Sequence, residues 1–228
     1  VIITTHQPIF LPWPGFFCKA LHADAMVLLD QVQFPHGGTW MTRNRLKSHQ
    51  GEVWLKVPVW KKGRGEQTIG NVEICNETNW KRKHLRTIHE QYVNAPYIND
   101  VLPGLERIYA QDHRRLLEFN LEIIHLLWNA IGIKTRLLKQ SDLHASGKGS
   151  GLLIDLCKRL NADQFVAFDV VEKYLDADKF EAEGIKIKFI PFSPPVYPQL
   201  WGDFRQNLSA LDLILNCLPK SPEILNRA

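Results

Sequence analysis

The sequence has no apolar run approaching the roughly 18 to 20 residues that a membrane-spanning helix requires. Its first residues also lack the basic, apolar and small-residue zones of a secretory signal, so a soluble cytoplasmic protein is expected. Cys18, Cys75, Cys157 and Cys217 are widely separated and form no CxxC pair, which removes a zinc ribbon or a dithiol redox motif and leaves reduced, mostly buried thiols. The nine histidines show neither HxH nor HExxH spacing. No metal is expected on motif grounds, although ligands gathered from distant segments would leave no such trace, and no cofactor is assigned. There is no GxSxG or Cys/His motif to announce a covalent nucleophile, and no internal repeat or low-complexity tract.

What is present suffices for one sizeable core, since 45% of the 228 residues are hydrophobic. The net charge of +4 conceals an asymmetry: residues 43 to 86 hold eleven Lys and Arg against four Asp and Glu. A local excess of +7 attracts anions, either as a solvated basic face or as a site for nucleotide phosphates or tRNA.

Apolar periodicity predicts strands at Val1 to Thr5 and Ala25 to Leu29, the first followed by a proline-bound turn and a helix, the second ending on Asp30 before a basic loop. Short strands are expected near Val53 to Val59 and Asn71 to Ile74, with Pro58 marking an edge. Helices are expected from Trp80 to about Val93, with Asn79 as cap, and from Tyr97 to Tyr109, interrupted near Pro103 and Gly104. A third should run from Asp112 to Ile131, stopped by Gly132. From Thr135 onward, strands at 135–138, 164–167 and 186–190 alternate with helices at 149–161 and 177–183, the pattern of βαβ units. The expected fold is α/β: a mostly parallel, Rossmann-like sheet with helices on both faces. It would form one domain over residues 1–228, with a mixed β and helical insertion at 31–132.

Ligands of open α/β sheets gather beyond the carboxyl ends of the strands, which is where His6, Gln7, Trp13, Gly15 and Lys19 fall. His6 can exchange a proton near neutral pH, Gln7 can orient a carbonyl or hydroxyl, and amides around Gly15 can face an anion; equally, His6 and Gln7 can satisfy buried carbonyls. Asp30 and Gln33 end the second strand, and Arg43, Asn44, Arg45 and Lys47 follow. The arginines can clamp a phosphate or carboxylate, or pair internally with Asp30. The run Ser146 to Gly151 offers a glycine-rich helix entry with Lys148, but not the GxxxxGK[ST] loop. Near the end, Tyr197, Gln199 and Asn207 combine an aromatic with amides, as a sugar ring requires, while Ser209, Asp212 and Trp201 are explained by capping and burial.

The runs HQPIFLPWPGFFCKALHADAMVLLDQVQF, RNRLK, WLKVPV, PVYPQLWGDF and NLSALDLILNC resemble, in this order, the WbqC-like protein family. That resemblance implies an association with bacterial surface-polysaccharide (O-antigen) loci, some members being labelled amino-sugar or glycine transferases. One stretch departs from it: where many relatives look glycine-rich, this chain has FVAFDVVEKYL from Phe165, whose bulk would narrow the loop.

The leading expectation is a transferase that acylates, with glycine as one candidate, the amino group of a nucleotide-linked amino sugar, using an activated acyl or aminoacyl donor. His6 would take the proton, Asp30 would orient the amine, and amides near Gly15 would meet the oxyanion. A nucleotidyl or adenylyl transferase is the first alternative, weakened because Trp13, Pro14, Gly15 and Phe16 stand where an HxGH motif would be. A non-catalytic sugar-nucleotide or RNA-binding protein is the second.

Overall fold

The computed structural model describes residues 1–228. In chain order these form β1 (Ile2–His6), α1 (Pro14–Leu21), β2 (Ala25–Leu28), β3 (Arg43–Ser48), β4 (Gly51–Lys56), α2 (Trp80–Tyr92), α3 (Ile98–Ala110) and α4 (Leu116–Ile131). Then follow β5 (Arg136–Lys139), α5 (Gly149–Arg159), β6 (Gln164–Phe168), α6 (Ala177–Ala182), β7 (Lys186–Ile190), α7 (Ala210–Cys217) and α8 (Ser221–Asn226).

Five strands form a fully parallel sheet in the order β5-β2-β1-β6-β7, with Thr4 beside both Met26 and Val166. Alternate side chains divide between two helical layers. Ile3, Ala25, Val27, Phe165 and Ala167 pack with Leu152, Leu156 and Cys157 of α5 and Phe180 of α6. On the other face Met26 and Leu28 join Phe16, Phe17 and Ala20 of α1, and the same apolar cluster continues through α2, α3, α4 and α7. Each fully buried Phe or Leu of this kind is worth about 1.5–3 kcal/mol against leaving it in water. The fold is therefore α/β and Rossmann-like, with helices on both faces, as the alternating pattern predicted.

The strands match because parallel strands covered on both faces read as near-continuous apolar runs. The Trp80 and Gln164 starts and the Gly132 stop also agree with the pattern, Gly132 taking φ +79° at the end of α4. Corrections concern the segment between β2 and β5. The expected basic loop is strand β3, paired antiparallel with β4 from Arg43–Lys56 to Ser48–Gly51. Residues 71–74 form no named strand: the 3-10 turn Ile69–Asn71 leads into single bridges of Val59 with Ile74 and Glu73 with Arg115.

Helix α3 runs unbroken through Pro103. A Cβ on Gly104 would lie 2.5 Å from Leu126 Cδ1, so the glycine there permits close packing against α4 instead of ending the helix. The third helix starts at Leu116, not Asp112, where the Arg115 amide donates to the Glu118 carboxylate at 3.4 Å.

Candidate active site

The strand order reverses between β1 and β6, the usual position of a ligand crevice in such sheets. The turn leaving β1 is clamped at this point from four directions. Asn120 of α4 donates to the carbonyls of Pro8 and Met41, each at 2.9 Å. Asn44 of β3 donates to Leu11 O at 2.6 Å and Phe10 O at 3.3 Å. The Ala210 amide at the start of α7 reaches Pro12 O at 2.7 Å, and the Phe10 amide reaches Trp40 O at 2.9 Å. These bonds satisfy carbonyls of a proline-rich turn and hold buried Leu11 at φ +44°, a left-handed conformation a leucine rarely adopts.

The clamped turn forms one wall of a cavity of about 440 Å3, lined by His6, Gln7, Ile9, Trp13, Thr39, Trp40, Arg45 and Asn207. His6 Nδ1 lies 2.8 Å from Gln7 O. A carbonyl only accepts, so Nδ1 carries the proton and Nε2 keeps a lone pair. Burial, then the charge of Lys19, hold the imidazole down to about 3, so it is neutral throughout the physiological range. Arg45 donates from one terminal nitrogen to both oxygens of Glu52, at 3.0 and 3.2 Å, while its Nε is buried without a partner. Asn207 sits at φ +55°, a conformation asparagine tolerates.

Lys19 reaches back from α1 to the end of the same strand. Its Nζ donates to Thr5 O at 2.5 Å and stands 5.7 Å from the centre of the Phe168 ring on β6. Burial lowers its pKa to about 8. Gly15, the second residue of α1, lies under Trp13: a Cβ there would fall inside the indole ring's van der Waals envelope. The amide of Phe16 is already bonded to Trp13 O at 3.0 Å.

Several residues singled out by sequence lie elsewhere. Asp30 is buried at the end of β2, accepting from the Ser141 amide at 2.9 Å and from Gln31 at 3.3 Å. It is not in an ion pair with Arg43 or Arg45; Glu52 takes Arg45, and Arg43 lies 5.1 Å from the Trp54 ring centre. Gln33 is exposed and bridges Thr68. Asn44 is fully used in the clamp.

Lys47, Tyr197 and Gln199 belong to a buried polar network behind β3. Lys47 donates to Gln199 Oε1 at 3.1 Å and to Asp203 O, while Tyr92 donates to Asp212 Oδ1 at 2.6 Å and accepts from the Lys47 amide at 2.9 Å. Burial raises the Asp212 carboxyl above its ordinary range against the opposing pull of Tyr92, Tyr197 and Lys47. Tyr197 is consequently no open platform for a sugar.

Residues 7–224 match the WbqC-like protein family, nearly the whole chain. The chain belongs to the WbqC-like family. It is also 29% identical over 221 residues to a Mycobacterium tuberculosis protein (strain ATCC 25618 / H37Rv) named "Uncharacterized protein Rv1507c", covering 96% of this chain and 95% of that one. No solved structure matches it.

The matched residues supply Gln7, Trp13, Arg45 and Asn207 to the cavity, and His6 stands one position before the match. In the FVAFDVVEKYL stretch, Phe168 is buried against Trp13 and Phe192, at ring-centre distances of 6.0 and 5.4 Å. Val170 is 72% exposed.

The Ser146–Gly151 run enters α5 as an ordinary helix start, with the Ser146 amide taken by Asp155 at 2.9 Å. Ser209 caps α7 by accepting from the Leu211 amide at 3.1 Å.

Sequence reasoning passed over Ile9, Thr39 and Trp40 in the cavity and Glu52 beside it. The available signal was the set of tryptophans, Trp40, Trp54 and Trp60, scattered among lysines and arginines. No group of three or more His, Cys, Asp or Glu side chains is placed to hold a metal ion, and no helix is long and apolar enough to cross a membrane.

Proposed function

We propose that the protein is a transferase that acylates, with glycine as one acyl group, the amino group of a nucleotide-linked amino sugar used in bacterial surface polysaccharide. The observation carrying this reading is the pairing, in one cavity at the end of the central strand, of an imidazole with a free lone pair and the guanidinium-bearing Arg45. The first suits a nitrogen that must lose a proton; the second suits an oxygen that gains charge.

Trp13 and Trp40 offer apolar faces for a sugar ring, and the Gln7 and Asn207 amides can bond its hydroxyls. The amine attacks the carbonyl carbon of the activated acyl group, the C–N bond forms, and the leaving group departs with its electron pair. His6 is a weak base at about 3. The nitrogen, however, becomes an ammonium with a removable proton only as that bond forms, so the proton passes to Nε2 after attack has begun. Gln7 and Arg45 are the groups for the oxyanion, since the Phe16 amide is already bonded, and Asp30 keeps a structural role. The donor is a thioester, an adenylate or an aminoacyl-tRNA.

Incubation with amino-sugar nucleotides and each donor class, read by mass spectrometry, should give the acylated sugar nucleotide. His6→Gln should keep ligand affinity and lose about 100-fold or more in turnover, within the usual range of general acid–base assistance. An unaltered rate in a folded His6→Gln protein rejects the proton-transfer role. Ligand binding without any product would leave a sugar-nucleotide-binding protein.

A further inference from the structure

A second cavity, of about 590 Å3, neighbours the first and is lined by Gly38, Arg43, Lys56, Trp60, Lys61 and Lys62 among others. The two are linked through β3, where Arg43 lines one and Arg45 the other, and both guanidinium groups lie over Trp54, at 5.1 and 5.9 Å from a ring centre. No acidic side chain lines the second cavity. Arg43, Lys56, Lys61 and Lys62 take part in no ion pair. Lys61 has one donor on Gly37 O at 2.5 Å and keeps its charge, so four unneutralised cations face the cavity, of which the side chains of Arg43, Lys56 and Lys62 have no hydrogen-bond partner of their own. Such a concentration of one charge in a concave site selects a compact polyanion.

The aromatic groups narrow the class further. Trp54 lines neither cavity, and Trp40, stacked on it at 5.7 Å, lines the first. Trp60, 37% exposed, is the indole available within the cavity. A single ring lining this cavity accommodates one base, whereas a nucleic-acid strand uses a succession of them.

We infer that this cavity holds a nucleoside diphosphate, with its phosphates on Arg43, Lys56 and Lys62 and its base on Trp60. The site would hold the nucleotide end of the substrate proposed above while the sugar occupies the His6 cavity. It rests on that reading for the sugar alone.

The test is calorimetric titration of the full chain with UDP, ADP and pyrophosphate, without any acyl donor. A nucleoside diphosphate should bind more tightly than pyrophosphate. Lys56→Ala with Lys62→Ala should weaken all three by about tenfold or more, as expected for charge-assisted bonds. Trp60→Ala should abolish the advantage of the nucleoside; Lys62→Glu, at an exposed position, supplies the same test of the site if Trp60→Ala fails to fold.

Unchanged affinity in these variants, or loss of UDP binding in Arg45→Ala alone, would overturn the assignment. So would a single-stranded oligoribonucleotide that binds more tightly than UDP with a steep salt dependence. Nucleotide binding that survives alongside an absent acyl transfer would reject only the proposed reaction.

Discussion

At the scale of single residues, the cavity depends on groups whose protonation is set by burial. His6, held down to about 3, and His84, held down to about 4, both stay neutral when folded but take a proton below about 6.5 when unfolded. The unfolded chain therefore binds more protons as pH falls below 6.5. The contribution to stability is complete above that value and is lost progressively toward pH 3. Calorimetry should show a lower Tm at pH 4.5 than at pH 7.5, and His84→Gln should flatten that difference. Lys19 acts at the other limb. With a pKa near 8, its charge fades as pH rises past 8, so affinity for an anionic ligand at the strand end should weaken between pH 7 and 9, and Lys19→Met should remove the dependence. Gly15→Ala should displace the Trp13 ring and weaken ligand binding in a protein whose sheet remains folded, as titration and circular dichroism would reveal.

At the scale of elements, β3 organises the site, one set of its residues turned to the clamp and the buried network and the others to the cavities. Tyr92→Phe would leave the buried Lys47 amide without its acceptor and Asp212 Oδ1 without its Tyr92 donor. The expected cost is about 1–3 kcal/mol by denaturant unfolding. Ser209→Ala at the start of α7 should cost about 1 kcal/mol, the usual value for a lost cap. This strand was not legible beforehand: Arg43, Asn44, Arg45 and Lys47, broken only by Leu46, look like a loop, and the burial of Asn44 and Lys47 and half-burial of Arg45 are tolerable only because Glu52, Gln199 and the carbonyls of Phe10 and Leu11 complete their bonds. Similarly, Pro103 and Gly104 look like a break when the close approach of Leu126 is unknown.

At the scale of the whole molecule, the apolar cluster that joins α1 and β2 to α2, α3, α4 and α7 is continuous. We propose that residues 31–132 are an insertion that folds with the sheet as one domain. Replacing 31–115 by a short linker should expose the faces of α1 and α4 and abolish a cooperative thermal transition; a linker variant that melts as a single unit would make the segment an independent module.

The strands of the parallel sheet, the βαβ half from Thr135 onward and the concentration of polar residues after β1 were determined by the sequence itself. Period and composition are local properties, and a strand buried on both faces must be apolar throughout. Which polar residues share a cavity was decided only by the tertiary structure. Arg45 and Asn207 are separated by most of the chain, and Asp30 and Arg45 by fifteen positions, yet the first pair line one cavity and the second do not meet. Charge and hydrogen-bonding groups act through distance in space, and the folded backbone sets that distance for residues remote in the chain.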